Sequence, residues 1–166
     1  MRIGIGYDIH RFRESLPAER RGRRLVLGGV EFPGETGLAG HSDADVLLHA
    51  VIDALLGAAG LGDIGQHFPP DDPAYEGASS RELLEQAAAK VRDAGLAVES
   101  VDATVIAERP RLAPHIARMR EGIAGALDVG VGRVNVKASS SEGMGALGRG
   151  EGIAAIAVAL LSEASV

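Results

Sequence analysis

Apolar and polar positions alternate along residues 2–12 with the two-residue period of a strand. Residues 25–32 read as a second, short strand interrupted by Gly28 and Gly29. The polar, arginine-rich stretch between them, residues 13–24, reads as a solvated loop. Over residues 42–59 the period changes. Val46, Leu47, Ala50, Ala54 and Leu55 recur at helical spacing, and Gly60 stands where a C-terminal cap belongs. Residues 61–77, rich in Gly, Pro and Asp, predict a loop. A second helix follows over residues 81–94, with a capping box at Ser79-Ser80-Arg81-Glu82 and a stop at Gly95.

Residues 98–107 alternate as a strand. Ile116, Met119, Ile123 and Leu127 share one face of a helix over residues 114–127, and residues 134–138 form a short strand. A Ser/Gly loop spans residues 139–152. Residues 152–163 carry two readings: their Ala content favours a helix, while their length and near-continuous apolarity suit a buried strand. Strands alternating with helices predict an α/β or α+β sandwich, one sheet with helices on a face. A length of 166 residues predicts a single domain spanning the chain.

Composition narrows the function classes. Aromatics make up only 3% of the chain, so a core drawn from the 46% apolar residues rests on Ala, Val, Leu and Ile. A net charge of -6 without a basic stripe argues against nucleic acid or an anionic membrane as partner. The absence of cysteine removes disulfides, thiolate metal sites and a cysteine nucleophile. The start MRIGIGYDIH lacks the apolar core of a signal peptide, and no apolar run approaches the ~20 residues that span a bilayer. A soluble, cytoplasmic protein is expected.

The chemistry concentrates at a few places. Asp8 and His10 lie two apart in a strand and share a face, with Ile9 on the other. Such a pair serves either as an Asp–His hydrogen bond or as two metal ligands. Asp45, His49 and Asp53, at i, i+4 and i+8, form a polar stripe on an otherwise apolar helix, where His and Asp are poor helix formers. His49 would complete a triad with Asp8 and His10, leaving an open position on a metal such as zinc. His41 and Ser42 stand at the helix entry, where backbone N–H groups attract anions; Ser42 also suits a simple cap. The run Ser139-Ser140-Ser141-Glu142 offers hydroxyls to phosphate and a carboxylate to magnesium, or serves as a turn. The glycines that follow, with Arg149 among them, match neither a Walker A nor a Rossmann pattern, which counts against an ATPase, a kinase or a dehydrogenase.

The blocks RIGIGYDIH, GLAGHSDADVLLHAVIDALLGAAGLGDIG, SSRELL, VDATVIAERPRLAPHI, RVNVKASSSEGMG and GRGEGIAAIAVALL cover nearly the whole chain. In this order they resemble the 2-C-methyl-D-erythritol 2,4-cyclodiphosphate synthase family of the non-mevalonate isoprenoid pathway. The resemblance implies a ferredoxin-like α/β sandwich with a mixed four-stranded sheet, helices on one face, and a homotrimer with active sites between subunits. Residues 152–162 then become a strand. Asp8, His10 and His49 correspond to ligands of Zn2+ or another divalent transition metal, and Glu142 to a ligand of Mg2+ or Mn2+. His41 and Ser42 correspond to substrate-phosphate contacts, with His41 and Ser140 stabilising the transition state.

By the same resemblance Asp63, Ile64 and Gly65 belong to the erythritol-binding loop, with Phe68 and Asp72 beside it. Ala107, Arg111, Leu112, Ala113, Ala138 and Ser139 frame a cytidine pocket read largely through backbone groups. Asp45, near the substrate, and Asp53, holding a ligand in place, are supporting groups. The implied reaction is intramolecular: the 2-phosphate of 4-diphosphocytidyl-2-C-methyl-D-erythritol 2-phosphate attacks the β-phosphorus and CMP leaves. Since that nucleophile is already anionic, the site needs positioning and charge neutralisation more than a strong base.

Several positions depart from the family pattern. Pro70 stands where an acidic residue is usual. Ala146 replaces a bulkier, often aromatic residue near the trimer axis, where family members hold an isoprenoid diphosphate with Arg149 as anion partner. Two rival readings use the same residues: a zinc phosphoesterase with water as nucleophile, and a non-catalytic trimeric ligand-binding module. A purely structural trimer would not need the polar stripe.

Overall fold

The computed structural model describes residues 1–15 and 24–164. Most of the loop expected over residues 13–24 lies outside the described residues, which take it up again at Arg24. Four strands form one mixed sheet in the order β1-β6-β4-β5: β1 (Arg2–Arg11), β6 (Gly152–Glu163), β4 (Leu96–Ile106) and β5 (Val134–Ser139). Strand β6 runs antiparallel to both β1 and β4, while β4 and β5 are parallel. Helices α1 (Val46–Ala59), α3 (Ser80–Asp93) and α4 (Ile116–Leu127) cover one face of this sheet. The α/β architecture and the mixed four-stranded sheet are as expected, and the strand reading of the last segment holds against its alanine content. It holds because β6 is the inner strand between β1 and β4, where small residues let both neighbours and the overlying α1 close in.

Helix α1 is the centre of the packing. Every residue of it except Asp53 and Gly57 is buried, the pattern of a helix enclosed on all sides. It lies across β1 and β6 and against α3. The approach to β1 is so close that a Cβ on Gly6 would sit 1.9 Å from the carbonyl oxygen of Ala50, and one on Gly4 would sit 2.1 Å from that of Ala54. Only glycine permits this backbone-to-backbone contact. Gly60, at φ 74°, then ends α1 in the left-handed conformation, as its position predicts.

Elsewhere the elements depart from expectation in instructive ways. The interrupted strand over residues 25–32 is a hairpin of β2 (Arg24–Leu27) and β3 (Val30–Thr36), antiparallel and turned at Gly28 and Gly29. Both glycines have positive φ, as a tight two-residue turn requires. Helix α1 starts at Val46, not at residue 42, because Ala44 takes φ 60° and Asp45 is the cap. The Asp45 carboxylate accepts hydrogen bonds from the backbone N–H of Leu48 (3.1 Å), Gly28 (2.9 Å) and Gly29 (2.7 Å). One buried side chain thus caps the helix and fastens the hairpin turn to it. Complete burial pushes the Asp45 carboxyl up to about 6 against the pull of these donors.

The capping box also fails. Ser79 makes no side-chain cap bond at the start of α3; the Ser80 N–H donates instead to Oδ2 of Asp43, at 3.0 Å. Two expected loops contain short helical turns, α2 (Ile64–His67) and α5 (Gly145–Gly148). The face of the sheet opposite the helices is open. It exposes Ile3, Ile5, Tyr7 and Ile9 of β1 and Ile156 of β6, with Ile3 at 73% and Ile5 at 70% of full exposure.

Because α1 rides on bare backbone, Gly6→Ala forces the helix off the strand. The unfolding free energy should drop by roughly 3 kcal/mol, the upper range for overpacking, measured as a lower urea midpoint. An unchanged midpoint would contradict the tight seat of α1.

Candidate metal centre and phosphate-binding ends

Past Gly4 and Gly6, the next even positions of β1 are Asp8 and His10, facing the first turn of α1, where His49 emerges. Their donor atoms converge. Oδ2 of Asp8 lies 2.9 Å from Nε2 of His10 and 2.9 Å from Nδ1 of His49, and the two ring nitrogens are 3.3 Å apart. Ligands around a tetrahedral metal at 2.0–2.1 Å would be about 3.3 Å from each other, so this spacing fits such an ion. Among the described residues this is the only group of three His, Cys, Asp or Glu side chains close enough to share one.

The hydrogen bonds behind the triad show what kind of partner it wants. Nδ1 of His10 lies 2.6 Å from the carbonyl oxygen of Ala39, which can only accept, so Nδ1 carries the ring hydrogen and Nε2 presents its lone pair. Nε2 of His49 faces the hydroxyls of Ser42 (3.1 Å) and Ser80 (2.9 Å). The Ser80 hydroxyl donates to Oδ1 of Asp43, so it accepts from His49 and leaves Nδ1 as the nitrogen turned to Asp8. Two ring nitrogens and a carboxylate therefore point at one spot, which calls for positive charge there, either a cation or protons shared with Asp8. The same pull is seen on protons. Burial alone would raise the Asp8 carboxyl, but hydrogen bonds and charge from His10 and His49 hold it well below the usual carboxylate range. Burial alone would lower the His10 ring, but Asp8 raises it.

The triad opens onto a cavity of about 230 Å³ that is also lined by His41, Ser42, Ile64, Gly65, Phe68 and Pro70, with Tyr75 and Leu83 as further walls. Most of the expected metal and erythritol-end residues thus come together. His41 stands at the rim with Nε2 3.1 Å from the carbonyl oxygen of Asp72. Phe68 is buried and packs edge-on against Tyr75. Asp63 does not line the cavity; its exposed carboxylate caps α2 through the N–H of Gln66 at 3.0 Å.

Asp53 does not hold a metal ligand in place. Its carboxylate, raised by burial, accepts the Ile64 N–H at 2.7 Å and so sets the loop that carries Ile64 and Gly65. Asp45 is fully buried under the helix start and sits away from this cavity, so the stripe of three polar residues on α1 splits into a cap, a candidate ligand and a loop anchor.

The other expected residues sit elsewhere. Ala107, Arg111, Leu112, Ala113, Ala138, Ser139, Ser140, Glu142 and Arg149 line none of the triad's cavity. They belong to the end of β5 and the segments that follow β4 and β5, at the end of the sheet where β1 also finishes, but β5 and β1 are opposite edges. Two bonds join the walls there: Ala107 N–H to Ser139 O (3.0 Å) and Ser141 N–H to the Glu108 carboxylate (2.7 Å). Arg109 braces the loop, pairing with Glu14 at 2.7 Å and lying 4.3 Å over the Phe12 ring. The Ser140 hydroxyl donates to Glu142 at 2.9 Å, and Glu142 is held at φ 51° in the left-handed region. Leu112 is buried and turns into the core. Arg149 pairs with Glu151 at 2.7 Å. Ala146 lines a second cavity of about 540 Å³ with Ile9, Arg11, Phe12 and Leu147, which shares His10 with the first.

Three contributors escape a reading of the sequence: Ser80, Asp43 and Glu108. Ser80 was legible as a helix-start residue, but nothing in its spacing says that its hydroxyl meets a histidine 31 positions away.

The YgbB family model matches residues 1–162. The chain is 57% identical over 161 residues to the 2-C-methyl-D-erythritol 2,4-cyclodiphosphate synthase of Trichlorobacter lovleyi, covering 97% of this chain and 98% of that one. It superposes on the bifunctional IspDF from Campylobacter jejuni with a TM-score of 0.89 at 42% identity; the match covers 96% of this chain and spans 42% of that longer one. It superposes on the Plasmodium falciparum IspF CDP complex with a TM-score of 0.83 at 30% identity, over 99% and 97% of the two chains.

The donor set makes one direct expectation. The purified protein should bind one zinc ion per chain, more weakly as pH falls because protons compete for the same lone pairs. His49→Ala should bring that stoichiometry toward zero while circular dichroism stays native; full zinc content in the variant would remove His49 from the ligand set.

Proposed function

The chain belongs to the YgbB family, and from that premise we propose that it converts 4-diphosphocytidyl-2-C-methyl-D-erythritol 2-phosphate to 2-C-methyl-D-erythritol 2,4-cyclodiphosphate with release of CMP. It is then a lyase of isoprenoid precursor biosynthesis, formed as one synthase domain and working in the cytoplasm. The observation that carries this reading is the convergence of Asp8, His10 and His49 on one point that opens into a cavity. In the reaction an oxygen of the 2-phosphate bonds to the β-phosphorus. The bond from that phosphorus to the oxygen bridging it to the α-phosphorus breaks, and the electron pair leaves with CMP.

Each part of the site has a role in that displacement. Asp8, His10 and His49 would hold Zn2+, and Glu142, oriented by the Ser140 hydroxyl, would hold Mg2+. Such ions, when bound, neutralise charge on the phosphoryl oxygens. His41 and Ser42 contact phosphate at the cavity rim, and His41 and Ser140 donate to the oxygens that gain charge in the transition state. Ile64 and Gly65, held by Asp53, line the wall for the erythritol, with Asp63, Phe68 and Asp72 around it. The backbone of Ala107, Ala113, Ala138 and Ser139, with Arg111, receives the cytidine.

The active form in this reading is a homotrimer with sites shared between subunits. Two features support it. The sheet face opposite the helices leaves Ile3, Ile5, Tyr7 and Ile9 uncovered, a contiguous apolar strand surface of the sort that marks an interface. The metal end and the Ser139–Glu142 end lie at opposite sheet edges, so one copy alone does not close a site around a substrate with both ends engaged. Arg149, bound to Glu151, would face an isoprenoid diphosphate near the axis, though Ala146 brings no ring to that cavity.

Phosphorus NMR of the protein with the cytidylated substrate, zinc and magnesium tests the reading. Coupled cyclic-diphosphate signals should grow in step with CMP, whereas inorganic phosphate or a linear product would select the hydrolase instead. Glu142→Gln should lower kcat on the order of 100-fold and leave CDP affinity within a factor of a few; unchanged turnover would reject its role at magnesium.

A further inference from the structure

Two loops meet where the β4–β5 ladder runs out. The ladder ends at Ile106 beside Ser139, and the Ala107 N–H donates to the Ser139 carbonyl at 3.0 Å. Beyond that point the chain after β5 leaves the sheet in a turn, with Glu142 at φ 51° and Gly143 at φ 74°. Its bonds stay mostly inside it. The Ser140 hydroxyl donates to the Glu142 carboxylate at 2.9 Å and accepts the Glu142 N–H at 3.2 Å, and the Met144 N–H donates to the Ser141 carbonyl at 2.9 Å. These bonds set the shape of the turn but not its place against the sheet. Among the described residues, one hydrogen bond carries residues 140–143 to a partner outside 139–144: the Ser141 N–H donates to Oε1 of Glu108 at 2.7 Å.

Glu108 reaches the turn from a loop that is itself anchored. Its neighbour Arg109 turns the other way, pairing with Oε2 of Glu14 at 2.7 Å and lying 4.3 Å over the Phe12 ring, just past the end of β1. Oε1 of the same Glu14 accepts the Thr36 hydroxyl at 2.8 Å. The loop is thus tied to β5 through Ala107 and to the end of β1 through Arg109.

We propose that Glu108 is a positioning residue that holds the turn at residues 140–143 in register with the loop over residues 107–113, so that the Ser140 hydroxyl and the Glu142 carboxylate stand at a fixed offset from a nucleotide on that loop. The inference rests on the reading of these segments as the magnesium and cytidine ends of the site, and adds a residue that acts through the turn. The pairing suits the task. A backbone N–H can only donate and a carboxylate can only accept, so the bond has one sense. Glu108 is exposed, so the bond contributes little to the stability of the fold, and its effect falls on where the turn lies. Without it the turn keeps its internal shape and shifts against the nucleotide, and small misplacements in a phosphoryl-transfer site are costly.

The test compares Glu108→Ala, which deletes the acceptor, with Glu108→Gln, which keeps one. Amide hydrogen exchange in the ligand-free protein reads the bond directly. The Ser141 amide should exchange roughly 3- to 10-fold faster in Glu108→Ala, as loss of one net hydrogen bond implies, and close to the parent rate in Glu108→Gln. In turnover, Glu108→Ala should lower kcat roughly 10-fold and raise the Mg2+ concentration for half-maximal rate, with CDP affinity within a factor of a few and the thermal midpoint nearly unchanged. Glu108→Gln should restore most of kcat. An unchanged Ser141 exchange rate in Glu108→Ala, or a Glu108→Gln variant as slow as Glu108→Ala, overturns the proposal. So does a loss confined to CDP affinity, which would make Glu108 part of the nucleotide pocket instead. If the parent releases no CMP, the reading of the reaction fails by itself, and the exchange rates still decide whether Glu108 holds the turn.

Discussion

The backbone contact between β1 and α1 is the constraint on which the rest depends. Gly4 and Gly6 remove the side chains that would hold a helix at ordinary distance from a sheet, and the carbonyl oxygens of Ala50 and Ala54 come in over them. The strand then continues beneath the start of the helix with residues that do carry side chains. At this separation Asp8 and His10 meet His49 within hydrogen-bonding distance; a wider gap would leave three separate polar groups. The glycines therefore act on the triad without touching it, and a small change in helix seating is a change in its geometry.

Two acidic residues just before α1 make that seating rigid. Asp43 and Asp45 flank Ala44, which bends the chain at positive φ, and the bend sends their carboxylates to different places. Asp45 takes the first turn of α1 and the Gly28–Gly29 turn. Asp43 takes the start of α3 and the Ser80 hydroxyl. Hydrogen bonds to a charged acceptor are among the stronger ones, and here all but the one from the Ser80 hydroxyl also satisfy a backbone N–H. The entry to one helix thus organises a hairpin, a second helix and a hydroxyl set against the His49 ring.

Much of this was legible in sequence because it follows from period. The strand face of Asp8 and His10, the helix bearing His49, the glycine stop at residue 60 and the strands at β4 and β5 all follow from spacing of two or 3.6. What escaped was the tertiary assignment of polar side chains. Asp45, His49 and Asp53 share a helical stripe, yet the stripe meets a hairpin at one end, Asp8 in the middle and a loop at the other, so equal spacing hides three different partners. Ser79 and Ser80 are equivalent to any capping rule, and only the position of Asp43 selects Ser80. The alternation in β1 is inverted with respect to the usual case. Its isoleucines and tyrosine face outward, and its glycines and polar residues face the helix, because the covered face is shaped for close approach and chemistry.

That inversion bears on how a complete site is assembled. The sheet order puts β1 and β5 at opposite edges with two strands between, a span of roughly 14 Å at ordinary strand spacing. The register places His10 beside Ile153, Ala154 beside Ile106 and Ile106 beside Ser139, so the triad and the serine run emerge from the same end of the sheet. One end offers lone pairs to a cation; the other offers hydroxyls and a carboxylate. A diphosphate whose two halves use both kinds of group cannot be gripped by either edge alone. An uncovered apolar strand at the β1 edge gives a reason for a second copy to approach there. In this reading the apolar face of β1 and its polar face serve one end: the first recruits the neighbour that the second needs to finish the site.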